Sequence, residues 1–87
     1  MRIEDLKSIL HSHLSDARIN IIGSGENFSV EVISDIFANK RIIERQKIVL
    51  AGVKDQVSNG EIHSFTVRAY TSDEWDKQGG LLKVVES

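Results

Sequence analysis

With 87 residues and a formal net charge of −2, the chain has room for one small domain and carries no overall field that would draw it to nucleic acid. It has no cysteine, which excludes disulfides, thiolate metal sites and cysteine nucleophiles, and suits a reducing compartment. No stretch approaches the ~20 apolar residues of a membrane span and Met1-Arg2-Ile3-Glu4-Asp5 begins no signal-type apolar run, so a cytoplasmic protein without a membrane partner is expected.

Ile3, Leu6, Ile9, Leu10, His13 and Leu14 recur at helical spacing. Glu4 and Asp5 stand in the first turn, where carboxylates suit the positive end, so the pattern predicts a helix over 3–14, broken at Ser15-Asp16. Residues 18–22 are rich in β-branched side chains, and Phe28, Val30 and Val32 alternate with Ser29, Glu31 and Ile33. Between these runs, 23–27 has turn composition, and the short link predicts an antiparallel hairpin. The Gly23-Ser24-Gly25 stretch joins strand to strand and is a turn, not a phosphate loop.

From Lys40 to Ser58 the period becomes helical, with Ile42, Ile43, Gln46, Val49, Leu50, Val53 and Val57 on one stripe. Ser34-Asp35 and Asn39 are plausible starts, with a short turn around Phe37, and Gly60 suits the left-handed residue after the end. Residues 61–70 predict a third strand with His63, Phe65, Val67 and Ala69 on its apolar face. Thr71-Ser72-Asp73-Glu74 has capping-box form ahead of a short helix carrying Trp75, which stops before Gly79-Gly80. A long helix between strands two and three makes those strands parallel. The expectation is an α/β (α+β) domain over 1–78, order α-β-β-α-β-α, with one three-stranded mixed sheet covered by helices on one face and a tail over 79–87.

No nucleophile elbow, P-loop or H-E-x-x-H is present and no carboxylate pair is placed in a cleft, so an enzyme is not expected. His11 and His13, two apart on a helix, point to different faces and cannot form a two-histidine metal site; a surface His11 and a core-edge His13 are expected. His63, read alone, is more often a rim-packing residue than a ligand. Lys40, Arg41, Arg45 and Lys47 against Glu44 give net +3 across 40–47. A solvated helix face is the ordinary meaning of such a run, and phosphate contact at a helix start is the functional one.

Residues Ile62-His63-Ser64-Phe65-Thr66-Val67-Arg68-Ala69-Tyr70-Thr71, followed by Glu74-Trp75, resemble the terminal signature of the BolA-like family, most closely its YrbA (IbaG) branch. Gly23 through Val30 is similar to that family's hairpin, and Arg45-Gln46 to an R/K-Q/H element within 37–49. The resemblance spans about residues 1–78 and implies a class II KH-like fold. It further implies partnership with a monothiol glutaredoxin and a shared [2Fe–2S] cluster, to which this side lends an imidazole, here His63. Other members are linked to DNA binding and transcriptional control through the region matching the basic helix start. The resemblance sets oligomeric state no more closely than a monomer or weak homodimer. One position departs from the pattern. Where the family often has a second histidine or a cysteine before the hairpin phenylalanine, this chain has Asn27, and a neutral amide is a poor ligand for cluster iron. Cluster sharing through His63 alone, glutaredoxin binding without a cluster, and an adaptor that keeps only the fold all stay open.

Overall fold

The computed structural model describes residues 1–24 and 27–79. The expected tail, from Gly80 onward, and the hairpin residues Gly25 and Glu26 lie outside them. Helix α1 (Ile3–His13) places Leu6 and Leu10 four apart on one face, both fully buried. The Leu14 amide returns to the Leu10 carbonyl at 2.8 Å and closes the helix. Strands β1 (Arg18–Ser24) and β2 (Asn27–Ile33) form the expected antiparallel hairpin. β3 (Ser64–Tyr70) pairs with β2 in parallel, giving the sheet order β1-β2-β3 with β2 in the centre.

The strand register sorts side chains into two faces. Rows Ile19–Val32–Ala69 and Ile21–Val30–Val67 face the helices, and the main core joins Phe28, Val30, Val32 and Val67 to Leu6, Leu10 and Leu14 of α1. Rows Asn20–Glu31–Arg68 and Ile22–Ser29–Thr66 form the uncovered face. The expected element order and mixed sheet are therefore those of the protein.

The 40–58 segment is not one helix. A 3-10 turn (Asp35–Phe37) buries Phe37, and Asn39 adopts a left-handed backbone, φ 64°. Two helices follow, α2 (Ile42–Ala51) and α3 (Lys54–Ser58), parted at Gly52-Val53. The break has a packing cause: the His13 ring lies where a Cβ on Gly52 would stand, 2.8 Å away, and His13 Nε2 bonds the Ile48 carbonyl at 2.7 Å. A histidine expected at the core edge is thus largely exposed yet pinned to the last turn of α2. Only part of the expected stripe turns inward. Val49 and Val53 are fully buried, whereas Ile42, Ile43, Leu50 and Val57 are exposed.

Gly60 takes the expected left-handed conformation, φ 85°. The capping box also forms: Thr71 Oγ1 accepts from the Glu74 amide and Glu74 Oε1 accepts from the Thr71 amide, opening α4 (Ser72–Glu74) and a π turn (Trp75–Gly79).

Candidate functional site

The two ends of β3 carry the residues that the sequence singles out. At the N-terminal end the expected alternation fails for two residues. Ile62 is buried and His63 is exposed, so His63 precedes the strand and faces outward instead of lining its apolar side. The cause lies upstream. The Ile62 amide donates to the Gln56 carbonyl at 3.1 Å and the Glu61 amide to Asn59 Oδ1 at 3.0 Å, so a tight turn directs Ile62 into the core before pleating begins at Ser64. The ring of His63 lies beside Gly60, whose absent Cβ would stand 3.9 Å from Nε2.

Asn27 is the register partner of Ser64, the residue after His63, on the neighbouring strand. Adjacent strands lie ~4.8 Å apart, so the exposed Asn27 and His63 occupy one rim at the hairpin end of the sheet. Sequence separation alone gave no sign of this pairing; the parallel register produces it.

The donor set on this rim is one imidazole and one amide. Among the described residues no group of three or more His, Cys, Asp or Glu could hold a metal ion. The residues therefore fit one iron ligand of a cluster whose other ligands come from elsewhere, and do not fit a cluster held by this chain alone.

At the other end of β3 the basic run divides. Lys40, Arg41 and Lys47 are exposed, and the Arg41 amide is taken by Glu44 Oε1 at 2.7 Å. Arg45 does not belong with them. Its side chain is 11% exposed and bonds Glu74 through both carboxylate oxygens, Nη1 to Oε1 at 2.6 Å and Nη2 to Oε2 at 3.1 Å. Nη1 also donates to the Ala69 carbonyl and Nε to the Lys40 carbonyl, both at 3.0 Å, and Cζ sits 6.0 Å from the Phe37 ring centre. A guanidinium so engaged is a structural tie and not a phosphate contact, because its donors are already spent on the Glu74 carboxylate and two backbone carbonyls. The bond from Arg45 and the Thr71 amide hold the Glu74 carboxyl down at about 2, and the same bond raises Arg45 above its ordinary value. The two motif fragments Arg45-Gln46 and Glu74-Trp75 are thus one ion pair seen from its two ends. Glu74 was legible in the sequence as a cap; its partner, 29 residues away, was not.

The aromatic rings of Tyr70 and Trp75 close this end, with centres 5.4 Å apart and planes at 59°. His11 and His13 are not brought together: His11 Nε2 bonds the Ala17 carbonyl at 3.2 Å, while His13 bonds Ile48.

An α-β-β-α-β-α domain with one three-stranded mixed sheet is of the class II KH-like type that the sequence led one to expect. Within that type the chain belongs to the BolA-like family, whose model, described as BolA-like protein, matches residues 2–74. It is 34% identical over 77 residues to an uncharacterized protein from the rpoN-murA intergenic region of Acinetobacter guillouiae, covering 88% of this chain and 93% of that one. It is 25% identical over 81 residues to the acid stress protein IbaG of Escherichia coli K12, covering 93% and 96%. The solution structure of yeast Fra2 aligns with a TM-score of 0.72 at 29% identity, over 93% of this chain and 90% of that one.

Proposed function

We propose that this protein is a non-enzymatic adaptor that binds a monothiol glutaredoxin and lends the His63 imidazole to one iron of a [2Fe–2S] cluster shared between the two. The observation that carries the reading is the exposed imidazole on a firm base. Ile62 is anchored in the core on one side and β3 starts on the other. A ligand held between two fixed points loses little entropy on binding. With Asn27 beside it, this chain contributes one good ligand, and the thiolates come from the glutaredoxin and its glutathione.

The test is to titrate the protein into a glutaredoxin carrying [2Fe–2S] and glutathione while following visible circular dichroism. A new spectrum that saturates at a fixed ratio is expected, and its loss in His63→Ala. An unchanged spectrum without complex formation rejects the proposal. Asn27→His is expected to tighten the complex by supplying a second imidazole on the same rim.

A second reading, a nucleic-acid-binding regulator, draws support from the exposed cations Lys40, Arg41 and Lys47. With Arg45 committed to Glu74 its contact set is three, so any DNA affinity should show a shallow salt slope, about −3 at most for duplex DNA. A duplex titrated across salt concentrations checks this, and absence of binding at low salt rejects it.

A further inference from the structure

The turn that presents His63 contains the one asparagine of the chain that precedes a glycine. Asn20, Asn27 and Asn39 are followed by Ile, Phe and Lys, and Asn59 by Gly60. A backbone nitrogen can attack the side-chain carbonyl of the asparagine before it and close a five-membered imide, an approach that a side chain on the attacking residue obstructs. Gly60 has no side chain to obstruct it. Asn59 is exposed, with φ −92° and ψ 3°, and follows α3, a helix of five residues. Its amide lies folded over the backbone ahead of it: the Glu61 amide donates to Oδ1 at 3.0 Å, and Nδ2 donates to Glu61 Oε1 at 3.4 Å. Oδ1 gathers negative charge as Cγ is attacked, so the Glu61 N–H stands where a donor stabilises that charge. The attacking atom is only weakly held. The Gly60 amide donates to the Val57 carbonyl at 3.3 Å, longer than the usual range, and an exposed end of a short helix opens at small cost.

From this turn we infer a self-modification site: Asn59-Gly60 converts to isoaspartate and aspartate, and the conversion reshapes the rim that carries His63. The Gly60 nitrogen passes its proton to water and bonds Cγ, the Cγ–Nδ2 bond breaks, and Nδ2 leaves as ammonia after taking a proton back from water. A second water then opens the imide. Attack at the side-chain carbonyl gives aspartate, and attack at the backbone carbonyl gives isoaspartate, whose main chain runs through Cβ. The sum is one water consumed and one ammonia released, with no oxidant or cofactor. Either product puts a carboxylate on the turn, and isoaspartate also lengthens the main chain by one methylene. The bond from the Glu61 amide to Asn59 Oδ1 is part of what turns Ile62 inward and His63 outward, so the rim shifts when that amide is lost. The modification stands whether or not a cluster is shared at His63.

The test ages the full ¹⁵N-labelled chain at mildly alkaline pH. Mass spectrometry follows the tryptic peptide 55–68, and a protein isoaspartate methyltransferase counts isoaspartate. The mass gain of amide-to-acid conversion is expected at position 59 about tenfold or more faster than at Asn20, Asn27 or Asn39. Asn59→Ser, whose hydroxyl can still accept from the Glu61 amide, should show no gain in that peptide. In the aged chain the amide resonances of Glu61, Ile62 and His63 should move, while those of Arg45 and Glu74 at the other end of β3 stay in place. No gain at position 59, a gain there no sooner than at the other asparagines, or a gain that leaves the His63 resonance unmoved overturns the inference.

Discussion

The two ends of β3 differ in how their polar groups are used. At the Tyr70 end an arginine, a glutamate, two backbone carbonyls and a capping threonine satisfy one another, and the 3-10 turn, α2 and α4 meet there. At the Ser64 end a histidine and an asparagine face outward on a rim fixed by buried Ile62. A motif side chain that is mostly buried and bonded within the fold holds the molecule together, whereas an exposed one on a rigid edge can be reached from outside. Arg45 and His63 belong to the same family signature and fall on opposite sides of that line.

The sharpest way to break the comparison is to remove the tie. Arg45→Ala should cost about 1–2 kcal/mol, read from denaturant unfolding, because it removes a mostly buried side chain with its bidentate bond to Glu74 and its bonds to the Ala69 and Lys40 carbonyls. Arg41→Ala, in the same basic run, should stay within about 0.5 kcal/mol. Equal effects would mean that the ion pair is ornamental.

Close in size is Gly52→Ala, where the new methyl meets the His13 ring. A loss of about 1–2 kcal/mol is expected, most of it recovered in a His13→Ala background, as a double-mutant cycle would show.

Acid probes the Tyr70 end. Glu74 is held down at about 2 against an ordinary 4.5, so its contribution is full above about pH 4.5 and is lost as pH falls toward 2. After discounting for a side chain that is 44% exposed, that contribution is about 1–2 kcal/mol. Unfolding free energies of the wild type and Glu74→Gln should therefore converge over that window. The smallest effect is expected at the open end, where His63→Ala should change stability by no more than about 0.5 kcal/mol while removing the cluster signal.

Most of the architecture could be read from the chain because it rests on local patterns: Leu6 and Leu10 four apart, alternation through Phe28, Val30 and Val32, and the Thr71–Glu74 box. The failures share a cause, which is tertiary contact between distant residues. Periodicity ran through Gly52 because nothing in the 40–58 segment reveals that His13 packs there. Ile42, Ile43, Leu50 and Val57 match the core stripe in spacing, yet only tertiary packing shows that it stops at Gln46, Val49 and Val53. Arg45 looked like its basic neighbours because charge runs carry no sign of a partner on another element. His63 was placed on the wrong side of the strand, since the turn from Asn59 to Ile62 resets the alternation.

The central claim is that the His63 nitrogen reaches iron in a partner's cluster. Pulsed electron paramagnetic resonance of the reduced mixed complex, with ¹⁵N-histidine in this chain alone, reads that bond directly. One strong ¹⁵N coupling, absent in His63→Ala, is predicted. A complex that forms with no histidine coupling from this chain would contradict the account.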